Sequence, residues 1–390
     1  MDVIVIGAGP AGLYAAERYA EGGRSVQVLE AGARAGGRAY NEHFHGVEVE
    51  TGAGVGRWPH DGLLAAWMKK HGEPVAPAPC TLQYWRGTGL VPAPMDVAKE
   101  VKAFPTPPHA PFGAWLKDAA GAAYLRSFVF TSSYNDYLNT DAVDVVDNYH
   151  MEDVAPTTKT FTVHWTRLVA KVVKALKAQG VRVHLEEPVV QVRRTATGYD
   201  VVSELGVYTA RRVVLAVPAR AAERLAARSG YMHTAALLKQ VQAQPFVRAY
   251  VRFTGPRNVL ERTVEAELVC AGPFRKVIPM DKAKRVYMVA YCDNSHVRFW
   301  RRLQRMPKRQ ALGAVRRALC ALFGGEFDLD DLVVYVHAQG THYYTPLEPP
   351  YTTRREFLDA LVHVDDGCTL VGEAVALNQG WTDSALATVD

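Results

Sequence analysis

The run Val3-Ile4-Val5-Ile6 is apolar at four successive positions. That predicts a strand buried on both faces, as in a parallel sheet covered by helices. A glycine-rich turn follows, and the spacing beyond it predicts a helix from about Ala11 to Ala20. Gly22-Gly23 ends this helix, because glycine accepts the left-handed cap. Ser25 to Leu29 predicts a second strand, so the chain opens as a β-α-β unit. Leu168, Val169, Val172, Val173 and Leu176 share one face of a helix spanning 168–178. Val181 to Val192 reads as two strands interrupted near Pro188, and Val213 to Val217 as a buried strand closed by Pro218. Alternation at Phe246–Phe253, Glu265–Val269, Arg275–Ile278 and Arg285–Tyr291 predicts antiparallel strands. A basic helical stretch spans about 295–323, divided at Pro307. Thr369 to Val371 is one more short strand before a glycine-containing turn and a final helix. Residues 74–111 carry so many prolines that they read as irregular structure. No internal repeat interrupts this pattern.

Composition narrows the class of protein. A chain of 390 residues is long enough for two to three domains, each with its own core. With 45 basic and 40 acidic residues, the net charge of +5 is too weak to argue for a nucleic-acid partner. Five scattered cysteines without a C-x-x-C pair suit a reducing compartment better than a disulfide framework or a zinc knuckle. No apolar run reaches the length of a membrane span, and no charged leader precedes the first strand. The expectation is a soluble, intracellular or cytoplasmic protein of α/β class.

The turn after the first strand carries the chemistry. Gly7-Ala8-Gly9-Pro10-Ala11-Gly12 is G-x-G-x-x-G between a strand and a helix. Gly7 permits the turn, Gly9 lets the backbone approach a pyrophosphate, and Gly12 lets helix pack on strand. The helix N-terminus offers unpaired N–H groups to phosphate. Glu30, at the end of the second strand, is placed to accept hydrogen bonds from a ribose. In Glu30-Ala31-Gly32-Ala33-Arg34-Ala35-Gly36-Gly37-Arg38, two arginines suit phosphate and paired glycines let backbone lie against a flat ligand.

At these residues the chain resembles the flavin-containing amine oxidase family, which includes monoamine and polyamine oxidases. V-I-G-A-G-P-A-G-L from Val5 and L-E-A-G-A-R-A-G-G-R from Leu29 match its opening pattern. Glu50-Thr51-Gly52-Ala53-Gly54, Pro188-Val189, Ala216-Val217-Pro218, and Gly372-Glu373 with Gly380-Trp381 resemble further family elements. The resemblance implies a Rossmann-like FAD-binding domain with a discontinuous α+β substrate domain on an antiparallel or mixed sheet. The FAD domain would take residues 1–57, 158–245 and 334–390, and the substrate domain 58–157 and 246–333. It implies non-covalent FAD contacted by Gly7, Gly9, Ala11, Gly12, Glu30, Ala31, Arg34, Gly37, Arg38, Gly52, Ala53, Gly54, Val189, Gly372, Glu373 and Thr382. The helix at Thr382 would aim its N-terminus at the flavin pyrimidine edge, where reduced flavin carries negative charge. The implied reaction is hydride transfer from a small-molecule amine to flavin, giving an imine, with O2 as acceptor and H2O2 as product. Trp381 and either Tyr343 or Tyr344 would wall a nearly dry pocket.

The chain departs from the family at two places. Arg248, in R-A-Y-V-R-F, stands where most members place a lysine linked to oxygen reactivity, and guanidinium is no drop-in for ammonium. Lys276, on a later strand, is a candidate substitute. His164-Trp165 replaces a Gly-Gly pair and would reshape the approach to the cofactor. These changes keep two alternatives open: oxidation of a porphyrinogen-like or carotenoid-like C–H bond in an apolar channel walled by Tyr84, Trp85 and Phe104, or a flavin-binding partner protein without turnover. The chain closes shortly after its final helix, with no membrane tail or long helical insertion as in some relatives. Three remaining clusters read as ordinary surface: the basic run Arg298–Arg309, the H-x-H pair His43 and His45, and the acids Asp141, Asp144, Asp147, Glu152 and Asp153. No metal site is expected.

Overall fold

The computed structural model describes residues 1–149 and 158–389. A six-stranded sheet lies under the glycine-rich turn, in the order Arg182–His184, Val26–Leu29, Val3–Ile6, Arg212–Leu215, Cys368–Leu370, His363–Asp365. All neighbours are parallel except the last pair. Three distant parts of the chain therefore build one sheet. Period-two alternation divides its side chains. Val3, Val5, Val26 and Val28 face helices Pro10–Glu21 and Trp165–Ala178, while Ile4, Ile6 and Leu29 face helices Ala219–Arg228 and Arg354–Val362. A three-stranded sheet, Val189–Thr195, Gly198–Ser203 and Val207–Ala210, covers the second face.

A seven-stranded sheet forms the other half, in the order Asp328–Tyr344, Val241–Thr254, Val286–Asp293, Lys276–Asp281, Glu267–Val269, Leu82–Arg86, Gly89–Val91. It is antiparallel apart from Glu267–Val269 beside Leu82–Arg86. Helices Val297–Leu303 and Lys308–Phe323 pack Trp300, Val315 and Leu319 beneath it, and Pro307 separates them as expected. Helices Val97–Ala103, Phe112–Ala120 and Ala122–Ser132 enclose an aromatic core of Phe112, Phe128 and Tyr137. The mixed α/β architecture with a Rossmann-like sheet is the one the sequence implies.

Several expectations need correction. The proline-rich region is not irregular throughout, since it holds the hairpin Leu82–Arg86/Gly89–Val91 and the helix Val97–Ala103. The 17-residue strand Asp328–Tyr344 escaped the pattern reading. It runs beside the 14-residue strand Val241–Thr254, and both continue across the domain cuts drawn at 245 and 333. Tyr84, Trp85 and Phe104 sit in three separate cores, against Phe130, Phe323 and Phe112, and wall no common channel. Asp141 and Asp144 are not a solvated loop. Both are buried against Arg354, whose Nε donates to Asp144 at 2.8 Å, and burial pushes the Asp144 carboxyl up to about 6. Glu152 and Asp153 lie outside the described residues. No helix among the described residues is long and apolar enough to cross a membrane.

Candidate active site

The glycine-rich turn is shaped by what surrounds each glycine. Gly7 adopts a φ of +105°, and a Cβ there would strike the Ala216 carbonyl. A Cβ on Gly12 would strike the Gly7 carbonyl, so helix and strand meet backbone to backbone. Gly9 differs: its φ of −72° suits any residue, and nothing lies within 4 Å of where its Cβ would stand. That open space, at a helix start with no side-chain cap and no acid in the first turn, is what a phosphate approaching the backbone requires. The protein needs glycine at Gly7 and Gly12, whereas only a ligand needs it at Gly9.

Three other segments converge on this turn. The Gly36 amide donates to the Ala8 carbonyl at 2.8 Å, and a Cβ on Gly37 would stand 3.5 Å from the Gly9 Cα. Gly372 faces Ala11, with 3.7 Å from its would-be Cβ to the Ala11 Cβ. Glu30 is fixed at the strand end by the amides of Ala8 and Gly32, each donating at 2.7 Å. Exposed Ala31 follows. The Glu187 amide donates to the Glu30 carbonyl at 2.8 Å, which brings the strand starting at Val189 alongside. Arg34 lays its guanidinium 3.7 Å from the Tyr40 ring centroid and donates to the Gly37 carbonyl at 3.2 Å.

Glu373 is the hub of a buried network. One oxygen accepts from Arg38 Nη1 at 2.8 Å and His342 Nδ1 at 2.6 Å, and the other from the amides of His342 at 2.9 Å and Gly380 at 3.0 Å. Burial works against its charge, but His342 and Arg38 outweigh burial and hold the carboxyl well below the usual range. The Ala219 amide donates to His342 Nε2 at 3.3 Å, so Nδ1 carries the proton shared with Glu373. Arg38 also donates to the Gly340 carbonyl at 2.8 Å, which ties the Glu30 loop to the long strand.

The segment Gly52–Gly54 crosses this region. The Ala53 amide donates to the Arg38 carbonyl at 3.0 Å, and Trp165 Nε1 donates to the Gly54 carbonyl at 3.0 Å. Trp165, in place of a glycine, is thus a buried buttress under the segment. Arg248 is buried, donates from Nε to the Gly52 carbonyl at 2.7 Å, and stacks 4.3 Å from the Tyr291 ring centroid. A Cβ on Gly54 would collide with its Nη2, so the missing side chain makes room for the guanidinium. Burial opposes its charge, yet Tyr250, Tyr291 and Glu50 keep Arg248 protonated. Lys276 does not replace it: the ammonium is held by Tyr134 and Glu267, 5.2 Å from the Tyr291 ring centroid.

Of the aromatic candidates, Trp381 is half-buried, with the Arg57 guanidinium 3.7 Å from its ring centroid. Asp61 grips that buried arginine through Oδ1 at 2.8 Å and accepts the Arg57 amide through Oδ2 at 2.6 Å. Tyr344 belongs to the core instead. It is fully buried, and its hydroxyl donates to the carbonyls of Ala374 and Ala376 at 3.2 and 2.9 Å. Tyr343, half-buried, points the opposite way, on the strand face of Thr341, whose Cγ2 lies 3.7 Å from where a Gly380 Cβ would be. That puts Tyr343 on the Trp381 side. The helix Thr382–Ala387 has only six residues, and Asp383 in its first turn accepts the Leu64 amide at 2.7 Å.

Sequence reasoning missed Arg57, Asp61, His342 and His337. His337 Nε2 donates to the Thr51 carbonyl at 2.7 Å, and burial lowers its pKa. Only the i, i+4 spacing of Arg57 and Asp61 was a usable signal.

The fold and this turn define a Rossmann-like dinucleotide-binding oxidoreductase: residues 5–67 match a model of NAD(P)-binding Rossmann-like domains. Residues 158–388, more than half of the chain, match the flavin containing amine oxidoreductase family, and the chain belongs to that family. It is 49% identical over 57 residues to putrescine oxidase of Kocuria rosea, covering 15% of this chain and 11% of that protein. Over 80 residues it is 40% identical to (S)-6-hydroxynicotine oxidase of Paenarthrobacter nicotinovorans, covering 20% of this chain and 19% of that one. The matched stretches therefore span under a fifth of either relative. The crystal structure of "Putative protoporphyrinogen oxidase" from Exiguobacterium sp. 255-15 superposes with a TM-score of 0.76 over 100% of this chain and 96% of that one, at 16% identity, a likeness of fold alone.

Proposed function

We propose that the protein binds FAD without a covalent bond and oxidises an amine to an imine. The observation that carries this reading is the convergence of four separate segments on Gly9. Its side-chain position is open where its neighbours are tightly packed. The residues fit the dinucleotide: Gly9, Ala11 and Gly12 offer backbone to the pyrophosphate, Glu30 faces the ribose, and Val189 lies on the adenine side. Arg34 and Arg38 supply positive charge, and Gly372 keeps the turn clear. When bound, the flavin accepts hydride from the carbon next to the amine nitrogen and passes both electrons to O2, giving H2O2.

The chain's own residues orient the substrate and exclude water. Trp381 and Tyr343 wall the substrate side, and Arg57, locked by Asp61, backs the indole so that its other face is presented. Gly52, Ala53 and Gly54 form a flat floor, buttressed by Trp165 and gripped by Arg248. Arg248 keeps a fixed positive charge beside that floor, where negative charge develops. The amine reacts as its free base, because its nitrogen lone pair drives hydride departure. The sheet beneath Gly9 and the seven-stranded sheet form a cofactor-binding and a substrate-binding part, joined by the two long strands.

The test is the product. Aerobic incubation with the right amine yields H2O2 and, after imine hydrolysis, aldehyde in equal amounts. Replacing Trp381 by alanine slows flavin reduction at least tenfold, and an unchanged rate removes Trp381 from the site.

A further inference from the structure

A cleft of about 430 Å³ opens at one end of the seven-stranded sheet, a volume suited to a small ligand. Asn135, Asn139, Asn294, Ser295, Arg298 and Arg301 supply its polar lining. The lining contains no acid, and neither Arg298 nor Arg301 makes an ion pair among the described residues. Both arginines are exposed. The cleft also touches the strands that carry the candidate site. Pro245, in its lining, precedes Arg248 by three positions, about 10 Å along a strand. Asn294 follows the strand on which Tyr291 sits opposite Arg248. The field continues inward, because the one carboxylate within 4 Å of buried Arg248 is Glu50 at 3.9 Å.

We infer that the substrate is an amine bearing a carboxylate, and that Arg298 and Arg301 receive its anionic end. This rests on the proposed amine oxidation and narrows its substrate class. Two unpaired arginines over amide donors attract a carboxylate and fix it through charge-assisted hydrogen bonds. The same wall repels a plain diamine, whose two ammonium groups find no acid in the lining.

Matched pairs test this on the flavin-loaded protein. Phenylalanine and phenethylamine, like lysine and cadaverine, differ only by a carboxylate. The carboxylated member is expected to half-saturate anaerobic flavin reduction at a concentration at least tenfold lower. The double variant Arg298→Gln/Arg301→Gln raises that concentration tenfold or more for the carboxylated member only. Arg305→Gln, an exposed control outside the lining, leaves it in place. Tighter use of the decarboxylated partner, or a double variant that leaves the preference intact, overturns the inference. Calorimetric binding of 3-phenylpropionate, which has the carboxylate and no amine, separates the two proposals. If no amine reduces the flavin but this acid binds and loses tenfold affinity in the double variant, the amine reading fails and the anion site stands. If the acid binds the wild type and the double variant alike, or neither, the anion site fails.

Discussion

At the residue scale, each candidate contact can be assigned to the fold or to the ligand. Gly9→Ala meets no protein atom, so it is expected to shift unfolding stability by no more than about 1 kcal/mol, the usual size of a cap substitution. Flavin content should nevertheless collapse. Gly12→Ala drives a methyl into the Gly7 carbonyl and should lose both flavin and stability. Thermal melts of the apo-protein beside flavin-to-protein absorbance ratios separate the two. Glu373 makes a pH prediction. Its folded pKa is depressed below the ordinary 4.5, so its stabilising contribution is present above 4.5 and disappears as pH falls toward the depressed value. Denaturant unfolding of wild type and Glu373→Gln should differ most near neutrality and converge in acid. A constant difference across that range would contradict the assignment. The glycines, Glu30 and Arg38 were legible because motif and ligand contact lie within a few residues. His342 and His337 were not, because the carboxylate and carbonyl that define them lie 31 and 286 positions away.

At the element scale, the two long strands decide which tyrosine can work. Alternation along Asp328–Tyr344 buries His342 and Tyr344 and leaves Tyr343 on the other face. Tyr344→Phe strands two buried carbonyls and should cost about 1–3 kcal/mol of stability while leaving the flavin reduction rate unchanged. Tyr343→Ala should do the reverse, slowing reduction severalfold with little change in unfolding. Stopped-flow reduction and denaturant titration of both variants check the assignment. The strand itself was hidden because its aspartates at 328, 330 and 331 and Gly340 resemble turn residues, and because most of it is only half-buried. Short buried strands such as Val3–Ile6 announce themselves by continuous apolarity, which this edge strand lacks.

At the scale of the whole molecule, the N-terminal β-α-β unit could be read directly, yet it is only part of the cofactor sheet. Strands from residues 182, 212 and 368 onward complete it, and their order follows from pairing no local pattern reveals. The same long-range closure joins Arg38, Glu373 and the Gly380–Trp381 turn into one unit. Because no covalent bond to the flavin is proposed, acid precipitation should release all yellow colour into the supernatant, and colour retained in the pellet would refute that point. The central claim, that this molecule takes hydride from an amine, is tested most directly by anaerobic titration of the purified yellow protein with mono-, di- and polyamines and their carboxylated counterparts. The account predicts that at least one amine bleaches the flavin band completely and stoichiometrically. A band that dithionite bleaches but every amine leaves untouched would contradict it.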